Sequence, residues 1–227
     1  MLQLEEARSA LDELHALKRG LLRVGIVQTV NACVIPEIVE RFTAAHNGVR
    51  VDCSEMAVAD IEAELESGRL DLGISFLPAA RKSLAGQKLF AEELVAVVAS
   101  NHPLARRRQL RVRDLQSQPL ALLSPKYCTR QLADLAFMQA GMQPDVRVEM
   151  NSVSSILSTL RRTRLISLLP SLALCQEDNG LTAIPLTGPK PQRTIGLVWL
   201  AGTDRRAAAL AFAQVTQSVL AERKVSS

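Results

Sequence analysis

The side chains best placed for chemistry in this 227-residue chain are short and polar, and they recur where an apolar run gives way to a helical pattern. Gln28-Thr29-Val30-Asn31 follows the run Leu21–Val27, and Ser124 through Thr129-Arg130 follows Pro119–Leu123. Asn151-Ser152 follows Val146–Met150, and Pro170-Ser171 follows Leu165–Leu169. A helix N-terminus carries unpaired N–H groups and partial positive charge, so several such ends facing one crevice make a site for a small anion or carboxylate. Lys126 and Arg130 add positive charge beside the second of these ends. Taken alone, each of these positions is equally an ordinary cap or turn.

Groups that break bonds are missing. The chain has no G-x-S-x-G, H-E-x-x-H, G-x-x-x-x-G-K-[ST] or G-x-G-x-x-G motif. Its three histidines, His15, His46 and His102, fall on an N-terminal helix, a helix end and a linker, too scattered for a metal site or a Ser/His pair. Asp71 is the one carboxylate within a strand expected to border the crevice, and two residues before a glycine it reads as structural. Binding without catalysis, cofactor or metal is therefore expected.

Composition is that of a globule able to bury a core: 48% apolar and 22% charged residues. A net charge of +4 with 3% aromatic residues offers few stacking platforms for nucleic acid, so this chain is not expected to bind it directly. The basic run Arg106, Arg107, Arg108, Arg111 and Arg113 has no aromatic interleaving and reads as a solvated linker face. Cys33, Cys53, Cys128 and Cys175 form no C-x-x-C pair and lie mostly in apolar stretches, which favours buried free thiols and a reducing cytoplasm. Neither a secretion signal nor a run of membrane-spanning length is apparent.

The elements that would position the polar ends alternate strand and helix. Leu21–Val27, a helix over Val34–Ala45 closed by His46-Asn47-Gly48, and a strand from Val49 to Cys53 make a βαβ unit, with Gln28–Asn31 as its polar turn. A helix over 60–68 and strands over 70–76 and 94–99 follow, and at Ser100-Asn101-His102-Pro103 the chain leaves the first sheet. A second α/β set runs from Pro119, with helices over 129–141 and 152–162 and a short one from Ser171. Thr194–Ala201 then returns to the first set, and a helix over 204–222 completes it. Ahead of all this, residues 2–20 form an amphipathic helix with Leu4, Leu11, Leu14 and Leu17 on one side, suited to oligomerisation or to folding back on the core.

The order of these segments resembles the effector-binding domain of LysR-type transcriptional regulators. The strand L-R-V-G-I, the helix I-P-x-I-V-x-x-F, the stretch D-I-x-x-x-L-x-x-G-x-L-D-L-G-I from Asp60 to Ile74, and L-V-A-V-V-x-x-x-H-P-L from Leu94 to Leu104 carry the likeness over about residues 10 to 220. Leu122–Arg130 and Asn151–Pro170 are further similar to the cyanate-operon regulator of that family.

The resemblance implies an α/β fold of two Rossmann-like lobes joined by two crossover strands, like a type 2 periplasmic binding protein. Residues 1–20 would be the end of a linker helix, 21–98 with 200–227 lobe I, and 99–199 lobe II. A small-molecule inducer, by the residue types an anion, would lie between the lobes. By position its contacts would be Gln28, Thr29, Asn31, Ser75, Phe76, Ser124, Thr129, Arg130, Asn151, Ser152 and Pro170. The chain would pair with itself as a dimer or tetramer, through the helix from Val34 or an edge of the second lobe. Promoter DNA would be met only through a helix-turn-helix that this sequence lacks, and no membrane is involved. The alternative is a free-standing solute-binding protein of a transport system, which uses the same fold.

Overall fold

The computed structural model describes residues 20–174, 180–188, 191–203 and 205–225. The helix expected over residues 2–20 lies outside them except for Gly20, as does Cys175. In chain order the elements begin β1 (Gly20–Ile26), α1 (Gln28–Cys33), α2 (Ile35–Ala45), β2 (Val49–Glu55), α3 (Val58–Glu66), β3 (Leu72–Leu77) and β4 (Leu84–Ala99). They continue with β5 (Leu110–Arg111), β6 (Pro119–Leu123), α4 (Cys128–Gln139), β7 (Asp145–Met150), α5 (Val153–Leu160) and β8 (Ser167–Pro170). The last are β9 (Leu181–Thr187), β10 (Gln192–Leu200) and α6 (Ala207–Val225). The chain divides into two compact units, Met1–Phe90 with Thr194–Ser227, and Ala91–Arg193. Those passages fall within β4 and β10, ahead of the positions near 99 and 199 that the sequence suggested. β4 is a single strand of sixteen residues in which the exposed segment Gly86-Gln87-Lys88 keeps its backbone extended.

In the first unit the strands run β2-β1-β3-β10, followed by the first half of β4. β1 and β2 are parallel from Gly20 opposite Val49 to Ile26 opposite Glu55, and β3 joins β1 in parallel at Val24–Leu72. β10 closes antiparallel on β3, with Thr194 opposite Leu77. Parallel neighbours require crossover helices, and those helices cover the sheet. On one face α3 sets Ile61 and Leu65 against Gly73, where an added Cβ would come within 2.9 Å of Ile61 Cγ2, so the close approach needs a residue without a side chain. α2 buries Ile35, Ile38 and Phe42, and the Phe42 ring meets that of Phe212 on α6 edge to face at 5.2 Å. Arg41 bridges Glu37 and Glu222 while Arg223 reaches Glu37 at 2.8 Å, so α6 covers that flank of α2. Pro36, Glu40, Thr43 and Ala44 form the exposed side of α2.

The second unit centres on the other half of β4, which pairs antiparallel with β8 on one edge (Leu94–Pro170) and β9 on the other (Ala99–Leu181). β5 adds to β9, and β6, paired in parallel with β7, reaches β8 through the bridge Leu120–Ile166. The run Leu-Val-Ala-Val-Val is apolar throughout because both faces are buried. Leu94, Ala96 and Val98 pack with Leu120, Leu122, Ala133 and Phe137, whereas Val95 and Val97 pack with Ala121, Leu123, Ile156 and Leu160. The helices α4 and α5 thus lie on opposite faces. The strands β5 and β9 carried too little alternation to be read from sequence, and β9 holds Pro185.

His102, expected in a linker, is buried (7% exposed) just past the end of β4. Its Nδ1 accepts the Leu104 N–H at 3.1 Å and so caps the turn Pro103–Arg106. Burial lowers its pKa from 6.5, a hydrogen bond involving the Arg164 backbone opposes this, and the Arg164 charge reinforces it. A base whose folded pKa is depressed contributes stability above its unfolded pKa and loses it as pH falls toward the folded value. Urea unfolding is therefore expected to show stability falling as pH drops below 6.5, the ordinary histidine value. In His102→Asn that part of the slope should vanish; an unchanged slope would refute the assignment.

Candidate functional site

The polar segment after β1 is a helix, not the turn expected from sequence. α1 begins at Gln28, its N-cap Val27 offers no side-chain bond, and the Asn31 N–H bonds the Val27 carbonyl at 3.1 Å, so Asn31 lies inside the helix and is no N-cap. Three short polar residues in a row suggested a turn, but the buried Val27, Val30, Cys33 and Val34 hold the backbone helical. The Gln28 Nε2 donates to Glu55 Oε1 at 3.1 Å and the Asn31 Nδ2 to Glu55 Oε2 at 3.2 Å. One carboxylate, at the end of β2, is thus held by two amide groups on α1. Thr29 is 3% exposed. On β3, Ser75 is buried with its Oγ lacking a hydrogen-bond partner among the described residues, and Phe76 is half-buried.

In the second unit Ser124 donates to Asn151 Oδ1 at 2.8 Å, which ties the ends of β6 and β7 together. Ser152 is the N-cap of α5, its Oγ 3.5 Å from the Ser155 N–H and 2.7 Å from Ser154 Oγ. Pro170 is buried at the end of β8 and presents no polar group of its own. Arg130 is turned inward, its side chain 10% exposed: Nε meets Asp134 at 2.8 Å, and Nη1 meets Glu149 at 2.7 Å and the Leu123 carbonyl at 2.9 Å. Two carboxylates already match its charge, so it staples α4 to β6 and β7. Lys126 is exposed, its Nζ 5.1 Å from the Tyr127 ring centre.

One polar cluster was missed. Arg193 Nε lies 2.6 Å from Glu92 Oε2, with side chains 9% and 0% exposed, and its Nη1 donates to Thr129 Oγ1 at 3.0 Å. Burial pushes the Glu92 carboxyl up and pulls the Arg193 guanidinium down, each opposed by the charge of the other. The signal was a charged residue at the head of each apolar run, Glu92 before Leu94–Ala99 and Arg193 before Thr194–Ala201. Glu55 was missed as well, because it ends a strand of otherwise ordinary alternation.

Cys53 and Cys128 are free thiols, and burial raises both, Cys53 to about 11; near Cys128 the Arg193 charge works against that rise. Cys33 is disulfide-bonded, which corrects the expectation of four free thiols: spacing along the chain says nothing of partners that folding brings together. Among the described residues no cluster of metal-ligating side chains forms, and no helix is long and apolar enough to cross a membrane.

Comparison with known proteins decides the family. The model of the LysR substrate binding domain matches residues 15–221. The chain belongs to that family. A hydrogen peroxide-inducible genes activator of Dickeya chrysanthemi is 29% identical over 218 residues, 91% of this chain and 72% of that protein. Two solved structures share the fold: the effector binding domain of QuiR in complex with shikimate (TM-score 0.76, 24% identity, 90% of this chain, 98% of that one) and the Synechocystis PCC6803 CcmR regulatory domain in complex with 2-PG (TM-score 0.81, 22% identity, 89% and 98%). The LysR domain has the periplasmic-binding-protein-like α/β fold with a mixed sheet, and it is a ligand-sensing regulatory domain, not the solute-binding component of a transporter.

Truncating one member of a buried ion pair strands the other. Glu92→Ala is expected to cost about 3–5 kcal/mol in urea unfolding, and replacing both residues by Glu92→Leu with Arg193→Met to cost clearly less. A single substitution costing under ~1 kcal/mol would show the pair to be solvated.

Proposed function

We propose that this LysR domain senses a small anionic solute, that its contacts are drawn from the polar strand ends, and that binding biases the oligomer of a DNA-binding regulator. Thr29, Asn31, Gln28 and Ser75 with Phe76 supply them in the first unit; Ser124, Thr129, Asn151 and Ser152, beside Pro170, supply them in the second. The observation that carries this reading is the Glu55 carboxylate held by Gln28 and Asn31, because the same two donors suit a solute's carboxylate or similar anion. Glu55 then acts as an internal competitor. Arg130 takes no part, being matched by Asp134 and Glu149.

The solute acts by population shift: it changes the oligomer only as far as it binds one arrangement more tightly than the other. Self-association as a dimer or tetramer, promoter contact through an N-terminal helix-turn-helix domain, and a cytoplasmic setting follow from the kinship with transcriptional regulators. The proposed resemblance of Leu122–Arg130 and Asn151–Pro170 to the cyanate-operon regulator makes cyanate one of the anions to try.

A thermal-shift screen of small anions, cyanate included, should find one that raises the melting temperature in step with its concentration. With that anion, Glu55→Gln should tighten binding and Ser75→Ala should weaken it about fivefold, near 1 kcal/mol, the size of one hydrogen bond. Removing a buried hydroxyl that has no partner should leave the melting temperature of Ser75→Ala level or higher. Unchanged affinity in both variants would remove these residues from the site.

A second reading rests on Cys128, a free, half-buried thiol at the first position of α4 that the Arg193 charge influences, together with the relatives named as hydrogen peroxide-inducible activators. Here the Cys128 thiol would give up its proton, its sulfur would attack one peroxide oxygen, the O–O bond would break, and the leaving hydroxide would take up that proton, giving sulfenic acid and water. Trapping of a sulfenic acid in the parent domain and its loss in Cys128→Ser would establish this; no trapping would discard it.

A further inference from the structure

We propose a second anion site wholly within the first unit, at the turn from β3 to β4, suited to a compact dianion such as a short-chain dicarboxylate. A hollow of about 490 Å³ opens there, within the range of small-molecule sites, with Leu77, Pro78, Arg81, Lys82, Lys88 and Thr194 in its wall. It shares no residue with the contacts named above, so the two sites stand or fall separately.

The turn is built, not loose. The Ala80 N–H donates to Glu62 Oε1 at 2.9 Å, and Glu62 is itself buried. Arg81 and the Ser83 hydroxyl both bind Glu66, the Leu84 N–H returns to the Arg81 carbonyl at 3.1 Å, and the Ala201 N–H on the β10 side reaches the Ser83 carbonyl at 2.9 Å. These bonds settle the charge balance as well as the shape. Arg81 is matched by Glu66, whereas Lys82 and Lys88 form no ion pair among the described residues, and no carboxylate lines the hollow. Two lysines therefore border it with no counter-charge among the described residues, and Thr194 lies beside them.

The floor is apolar for a specific reason. Leu77 lies flat across Gly86 and Gly196: a Cβ on Gly86 would stand 2.4 Å from Leu77 Cδ2, and one on Gly196 would stand 2.3 Å from Cδ1. Without these glycines the leucine would be lifted into the space. A dicarboxylate places a short methylene body on that leucine while its ends meet the lysines. Because both ammonium groups are exposed, salt screens the attraction, and binding should weaken as ionic strength rises.

The test is calorimetric titration of the full 227-residue chain with glutarate at low ionic strength, with glutaramide as the neutral isostere. Saturable binding of glutarate and none of glutaramide is expected. Lys82→Gln and Lys88→Gln should each weaken it about fivefold, and both together should abolish it. Gly86→Ala, which changes no charge, should weaken it by lifting Leu77, whereas Ser75→Ala should bind glutarate as the parent does. Absence of saturable binding, equal binding of glutaramide, or indifference to both lysine substitutions would overturn the proposal. Loss of glutarate binding in Ser75→Ala would also overturn it, by assigning the anion to the other site.

Discussion

Burial of strands on both faces is the constraint from which the rest follows. In β4, β6 and β8 of the second unit successive residues belong to two different cores, so a polar side chain there is buried at a cost, as at Ser167 of β8, whose Oγ has no hydrogen-bond partner among the described residues. Polar groups are pushed to the strand ends, where the chain turns into a helix and backbone N–H groups are already in want of acceptors. The polar strand ends of the domain are thus a consequence of its architecture before they are a property of any one residue. Charge enters the interior of the sheet as a matched pair, Glu92 on β4 with Arg193 on β10.

The same constraint explains what could be read from the amino-acid sequence. Pro119–Leu123 was legible to the residue because four apolar positions between Pro119 and Ser124 admit little else, and Leu94–Ala99 was recognisable as an apolar strand. The first half of β4 was not legible. Its Gly-Gln-Lys segment faces water on both sides, and only pairing holds it extended, a long-range effect with no local pattern. α1 failed for the opposite reason. Gln28-Thr29-Val30-Asn31 has the local chemistry of a turn, yet Val27, Val30 and Val34 recur at helical spacing and their burial overrides it.

At the candidate site, residue type was legible and residue role was not. Sequence placed Ser124 and Asn151 at strand ends, and the structure puts them there, whereas Thr29 and Asn31 lie inside α1. It could not show that Gln28 and Asn31 already grip Glu55, nor that Arg130, the obvious cation, is turned inward to Asp134 and Glu149. The grip on Glu55 and the contact with Glu149 join side chains far apart in the chain, which spacing alone does not reveal, whereas Asp134 stands one helical turn from Arg130. The hollow under Lys82 and Lys88 is legible only in three dimensions, since its floor requires Gly86 and Gly196 from two different strands to lie beneath one leucine.

The buried pair of Glu92 and Arg193 shows how binding in the second unit can reach beyond the ligand itself. Thr129, two residues into α4, accepts a hydrogen bond from Arg193, so the N-terminus of that helix is tied to the ion pair. Arg130, the next residue, fixes the same helix to β6 and β7 through Glu149 and the Leu123 carbonyl. On the proposed reading, an anion that draws on Thr129 would disturb the hydrogen bond by which Arg193 holds that residue, in surroundings where burial disfavours the charged forms of both Glu92 and Arg193. A ligand moves a conformational equilibrium only through such a differential interaction with the two states. A solute bound by the rim hydroxyls Ser124 and Ser152 alone would leave that ion pair undisturbed and, however tightly held, would have no such lever.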